Sequence, residues 1–256
     1  MCDIQVVGKR RENAEESARA GARAGEGQLA FRFRTWGGAR AGAGRPRGSR
    51  SVAHASRASV SRHVPMHVTL RVAAGVPNLR ARRAFRVVRH ALGLARAGDA
   101  RVVEYSVQSN HLHLIVESRS KRELSRGMQA LGIRLAKRLN RLFERSGRVF
   151  SDRFHARALK TPREVRSALA YVLNNYRKHA DQKGPQLPLT FIDACSSAGW
   201  FDGWSPDWIY EPPDPRAFRD PFAELGAGVV RARSFLLRRA WRRHGLLRPF
   251  DAPGVG

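Results

Sequence analysis

The order of elements in this sequence predicts an α+β domain: a ferredoxin-like antiparallel sheet with helices on one face, plus an added tyrosine-bearing helix. Three observations carry that expectation. Apolar residues alternate in runs of strand length at 66–72, 101–107 and 109–117. Two long segments, from about 79 and from 120, instead repeat their apolar residues every three or four positions, the helical period. The resulting order of strand, helix, strand, strand, helix, strand makes two βαβ halves around a central hairpin, and a further helix follows.

Residues 1–60 are rich in Ala, Arg, Gly and Ser and show little apolar periodicity. Such a stretch cannot bury enough apolar surface to offset its ordering entropy, so a disordered basic arm is expected, or upstream sequence outside the working protein. Order is expected from Pro65. In the first strand Met66, Val68, Leu70 and Val72 share a side. Asn78 then stands as N-cap for a helix over 79–95, with Phe85, Val88, Leu92 and Ala95 on its apolar stripe and Arg80, Arg82, Arg83, Arg86 and Arg89 largely elsewhere.

The runs 101–107 and 109–117 are joined by the polar Gln108-Ser109-Asn110 and read as a hairpin. In the second strand His111, His113 and Ile115 face one way and Leu112, Leu114 and Val116 the other. The leucine side suits a core. The histidine side presents two imidazoles about 6.5 Å apart, close enough to ligate one ion. Two solvated histidines on an amphipathic strand would give the same pattern.

Ser120 and Glu123 have capping-box spacing and open a long helix striped by Leu124, Met128, Leu131, Leu135, Leu139 and Leu142, with Gly147 as its stop. Arg122, Arg126, Arg134, Lys137, Arg138 and Arg141 fill the rest of its circumference. Almost no acidic residue interrupts them, which favours a phosphate-facing surface over a merely solvated one. A fourth strand is expected at 153–160, where Arg153 and Arg157 join the candidate phosphate contacts and His155 is either structural or phosphate-contacting. Thr161-Pro162-Arg163-Glu164 supplies N-cap, N1 proline and N3 glutamate for a helix over about 162–179. Its buried face is Val165, Ala168, Leu169, Val172 and Tyr176. Tyr171 and Asn175 are stacked neighbours at the border of that face, and Asn174 points away.

The 256-residue chain carries a formal charge of +27. Its distribution is telling: residues 61–180 hold 26 basic against 7 acidic groups, while 181–256 hold 10 against 9. A polyanionic partner is implied for the middle unit, nucleic acid ahead of an anionic membrane. No apolar run reaches membrane-spanning length, so no spanning helix is expected. Cys2 and Cys195 are too few and too distant for a disulfide framework or a cysteine zinc site, which fits a reducing cytoplasm. The organisation expected is an arm at 1–60, a central domain at 61–180 and a tail at 181–256. In that tail Phe191, Trp200, Phe201, Trp204 and Trp208 are candidate anchors, and 234–245 reads as a short basic amphipathic helix ended by Gly245.

Asn110-His111-Leu112-His113, the Phe150…Arg153-Phe154-His155 segment and Tyr171-Val172-Leu173-Asn174-Asn175 together resemble the single-tyrosine HUH transposases, particularly the branch associated with repetitive extragenic palindromes. The resemblance covers residues 62–180, with the motifs collinear. It implies that His111 and His113 are metal ligands, that Tyr171 is the nucleophile, and that Asn175 completes the metal or phosphate coordination. It further implies Mg²⁺ or Mn²⁺ as cofactor, single-stranded or hairpin DNA as substrate, and either a monomer or a homodimer that exchanges tyrosine helices. One departure stands out: the related sequences usually carry proline after the asparagine, where this chain has Tyr176, so the helix is expected to run on to His179.

The expected activity is therefore cutting and rejoining of single-stranded DNA through a covalent phosphotyrosine, located near the nucleoid. A catalytically inactive nucleic-acid-binding protein of the same fold and a metal-dependent nuclease that uses water are the alternatives.

Overall fold

The computed structural model describes residues 60–95, 100–181, 187–189, 191–208 and 223–251. The arm expected over 1–60 lies outside them but for Val60, as do Gly184, Pro185 and Pro215 of the expected tail. The chain divides into two units, residues 1–51 and 52–256, and all that follows concerns the second.

Strands β1 (Met66–Arg71), β2 (Arg101–Val107), β3 (His111–Glu117) and β4 (His155–Ala158) form an antiparallel sheet in the order β2-β3-β1-β4. Helix α1 (Arg82–Leu94) follows β1 and helix α2 (Lys121–Leu142) follows β3, so the predicted α+β, ferredoxin-like arrangement is the observed one. Both helices cover the face formed by Met66, Val68, Leu70, Leu112, Leu114 and Val116. Phe85, Val88 and Leu92 from α1 and Leu124, Met128, Leu131, Leu135 and Leu139 from α2 close that core.

Local chemistry moves several boundaries. Asn78 does not cap α1; its Oδ1 accepts from the Arg80 amide at 2.9 Å, closing a turn, and the helix starts three residues later than expected, behind Ala81. Ser120 caps α2 through the Glu123 amide at 3.2 Å, but the Glu123 carboxylate reaches back to the Arg119 amide. Nor is Gly147 the helix stop. The helix ends at Leu142, the chain turns through Glu144 at φ 49°, and the Gly147 carbonyl accepts from Asn140 Nδ2 at 2.8 Å.

Helix α3 (Pro162–Leu173) has the complete capping box of Thr161 and Glu164. It ends at Asn174 instead of continuing to His179, and α4 (Asn175–Asp181) resumes after the break. The break needs no proline. Asn174 Nδ2 donates to the carbonyls of Arg248 and Asp251 at 3.0 and 3.1 Å, while the Arg80 guanidinium stacks 3.7 Å from the Tyr176 ring. These contacts hold the two helices at the bend.

Residues after α4 form a second core with α3 on the opposite face of the sheet. Leu237, Trp241 and Leu247 pack with Val165, Leu169, Val172, Ile115 and Val103. Gly203 lets the Trp241 ring come close, since a Cβ there would lie 2.6 Å from it. Phe201 stacks on Trp241 at 5.8 Å, Trp204 packs beside Phe201, and Phe191 rests against Tyr176, so three of the expected anchors are packed; Trp200 stays 50% exposed. The free edge of β2 is covered as well. Ser197 donates its amide to the Tyr105 carbonyl, and the Val107 amide donates to the Cys195 carbonyl. The basic segment expected at 234–245 is a short helix α5 (Phe235–Arg238), capped by Ser234, then a 3-10 turn Ala240–His244 ended by Gly245 at φ 87°.

Candidate active site

Strand register builds the site. Thr69 of β1 stands between His113 of β3 and His155 of β4, His67 stands between Ile115 and Arg157, and Arg71 pairs with His111. Because side chains opposite each other in an antiparallel pair share a face, one patch of sheet carries four histidines, a threonine and two arginines. Helix α3 crosses the same face and brings Tyr171 to it.

His113 is the centre, only 5% exposed. Its Nδ1 lies 3.2 Å from His67 Nε2 and 3.2 Å from Thr69 Oγ1. Its Nε2 faces the Tyr171 hydroxyl at 3.5 Å, with the rings edge-on and their centroids 5.0 Å apart. The His111 ring lies 4.6 Å from that of His113, nearly perpendicular to it. Asn110 Oδ1 accepts from His111 Nδ1 at 2.7 Å, which places the ring proton of a neutral His111 on Nδ1 and makes Nε2 the acceptor nitrogen.

Burial sets the protonation states. It pulls the His67 imidazole down to about 4, with Arg157 and His155 adding to the effect, so His67 is neutral near pH 7. The Tyr171 phenol is pushed above its ordinary value by burial, and stays protonated there.

Asn175, four residues beyond Tyr171, opens α4. It is 1% exposed, and neither its Oδ1 nor its Nδ2 has a hydrogen-bond partner among the described residues. A buried amide left so costs about 1–3 kcal/mol. Asn174, by contrast, spends its amide on the C-terminal carbonyls. Tyr176 sits under Arg80 and beside Phe191, away from the histidine patch.

Three motifs far apart in sequence thus converge on one patch. A family model described as "Transposase IS200 like" matches residues 61–175. Over those residues the chain is similar to the IS200-like transposases. A solved structure of a REP-associated tyrosine transposase bound to a REP hairpin aligns with a TM-score of 0.42 at 15% identity, covering 50% of this chain and 75% of that one. No curated protein matches the sequence.

Within this transposase-like region the arginines divide. Arg157 lies exposed on the histidine face next to His67, and Arg153 is exposed just before β4. Arg122, Arg126, Lys137 and Arg141, with the partly buried Arg134 and Arg138, line the outer side of α2, which packs on the other face of the sheet. The α2 cations are therefore separated from the histidine patch by the sheet itself.

His67 and Thr69 escaped the sequence reading, although their signal was present. The alternation of 66–72 identifies Met66, Val68, Leu70 and Val72 as inward, and the same alternation puts His67, Thr69 and Arg71 on the other side, opposite the histidines of β3. What the sequence lacks is the β1–β3 pairing that makes them neighbours.

Proposed function

We propose that the chain cuts and rejoins single-stranded DNA, with Tyr171 as nucleophile. The observation that carries this reading is the Tyr171 hydroxyl 3.5 Å from His113 Nε2 within one chain. The phenol oxygen attacks a phosphodiester, the bond from phosphorus to the 3′ oxygen breaks, and that oxygen takes up a proton as the 5′ phosphate remains on Tyr171. Attack by a second 3′-hydroxyl reverses the step, so rejoining needs no external energy source.

The donor set fits a divalent cation. Among the described residues no group of three or more His, Cys, Asp or Glu could hold a metal, so within them a third protein ligand beside His111 and His113 would be of another kind. The orphaned Asn175 amide supplies an oxygen of the type that Mg²⁺ and Mn²⁺ accept. When bound, the cation would polarise the scissile phosphate and stabilise charge on its oxygens. His67 and Thr69 orient His113: a proton held on His113 Nδ1 between them leaves its Nε2 lone pair directed at the site. Arg157 and Arg153 contact phosphates of the strand being cut, and the α2 cations hold DNA flanking it.

Incubation with labelled single-stranded DNA and Mn²⁺ tests this. A denaturation-resistant protein–DNA adduct is expected, lost in Tyr171→Phe and His113→Ala. Cleavage without an adduct would mean a nuclease that uses water; binding with neither would mean an inactive DNA binder.

A further inference from the structure

Outside the transposase-like region, the sequence from Leu225 to Phe250 holds seven arginines and one histidine with no acidic residue, between Glu224 and Asp251. Its fold sorts those residues by side. Leu237 and Trp241, four apart, point into the core under α3. Phe235, Arg238 and Arg239 point out, and the Arg239 amide still donates to the Phe235 carbonyl at 3.0 Å, so the three share one exposed helical turn. Arg242 is paired with Asp202, whereas Arg238, Arg239 and Arg243 have no acidic partner among the described residues. Phe235 is 68% exposed, the most exposed aromatic ring among the described large apolar residues.

Position matters as much as composition. Glu117 accepts from the Arg233 and Ser234 amides at 2.7–3.0 Å and so pins this turn beside the end of β3. Glu117 lies four residues along the same strand from His113, about 13 Å away. The turn and Tyr171 also share a layer, since α5 and the following 3-10 turn pack on α3 over the histidine face. An exposed aromatic ring flanked by unpaired arginines, on the side of the sheet where a strand would be cut, matches what unpaired nucleotides need: a π-face for a base and cations for the phosphates either side.

We infer that Phe235, Arg238, Arg239 and Arg243 form a single-stranded DNA platform that continues the cleavage site along the histidine face. The occupant is an unpaired strand, because a base can stack on Phe235 only when it is free of a duplex. This inference rests on the proposed DNA-cutting activity for its substrate, but it is read by binding and not by cleavage.

The test uses the full chain carrying Tyr171→Phe and fluorescence anisotropy with a labelled 20-nucleotide oligothymidine and a labelled duplex of equal length. Phe235→Ala should weaken oligothymidine binding at least about fivefold, as loss of one stacked base does, and leave the duplex affinity unchanged. Phe235→Trp should restore binding. Arg238→Ala with Arg239→Ala should flatten the slope of log K against log salt by about 1.4, two single-strand phosphate contacts. Photo-crosslinking of 5-iodouracil DNA should label the peptide containing Phe235. Unchanged oligothymidine affinity in Phe235→Ala overturns the platform, as does an equal loss for duplex, or no binding by the parent chain. If Phe235→Ala weakens strand binding while the wild-type chain yields no Tyr171 adduct, the platform stands and the cutting activity falls.

Discussion

The two faces of the sheet are built on different principles. The face under α1 and α2 is closed by apolar residues from elements adjacent in sequence, and its alternation runs unbroken through Met66, Val68, Leu70, Leu112, Leu114 and Val116. The other face is half core and half site: Val103 and Ile115 are covered by α3 and the C-terminal segments, while His67, Thr69, His111 and His113 stay polar beside Tyr171. One face is bought with packing alone, and the other trades part of its packing for chemistry. The difference gives each face its own response to mutation.

Truncating the large anchor on the second face is the most damaging of these changes. Trp241→Ala, at a 1% exposed position under α3, should cost about 3–5 kcal/mol in urea unfolding. Leu114→Ala, 0% exposed on the helix-covered face, should cost about 2–5 kcal/mol by the same assay. A cost below about 1 kcal/mol for Trp241→Ala would show that the C-terminal segment rides on the fold without sharing its core, and the comparison would break.

A buried carboxyl sharpens the contrast through pH. Glu104 pairs with Ile115 on the second face and accepts from the Ser197 hydroxyl; burial pushes its carboxyl up to about 8. Between about pH 4.5 and 8 the folded chain therefore holds a proton that the unfolded chain has released, and stability falls as pH rises through that window. Glu104→Gln should remove this slope from denaturation midpoints measured at pH 6.5 to 8, above the range in which His67, neutral when buried, adds a slope of opposite sign. A wild-type midpoint that climbs across that range would contradict the burial.

Smaller effects follow at the helix that carries the tyrosine. Thr161→Ala removes the α3 cap and should lower stability by about 1 kcal/mol. Asn175→Leu should cost no stability at all, because it replaces an orphaned buried amide with a side chain of similar size, yet it should abolish adduct formation with Mn²⁺. A destabilised Asn175→Leu that still forms adduct would return Asn175 to an ordinary structural role.

How much of this was legible depends on distance along the chain. Strand and helix identities came from alternation and period within single elements, and the Thr161–Glu164 capping box came out as read. The histidine pair and Tyr171 stood out because their motifs are short and complete. His67 did not, since its role arises only when β1 pairs with β3. The break at Asn174 was equally invisible: the residues that hold it, Arg248 and Asp251, lie more than seventy positions downstream. Gly147 and Asn78 misled because a residue that favours caps and stops also favours turns, and only tertiary context decides between them.

The central claim is that the Tyr171 phenol, set against His113, becomes covalently attached to DNA. Digesting the protein after incubation with single-stranded DNA and Mn²⁺, then locating the modified residue by mass spectrometry, measures that directly. The account predicts a nucleotide 5′ phosphate on the peptide containing Tyr171, on the side chain of Tyr171 itself. A phosphonucleotide on Tyr176, or cleaved DNA with every tyrosine unmodified, would contradict it.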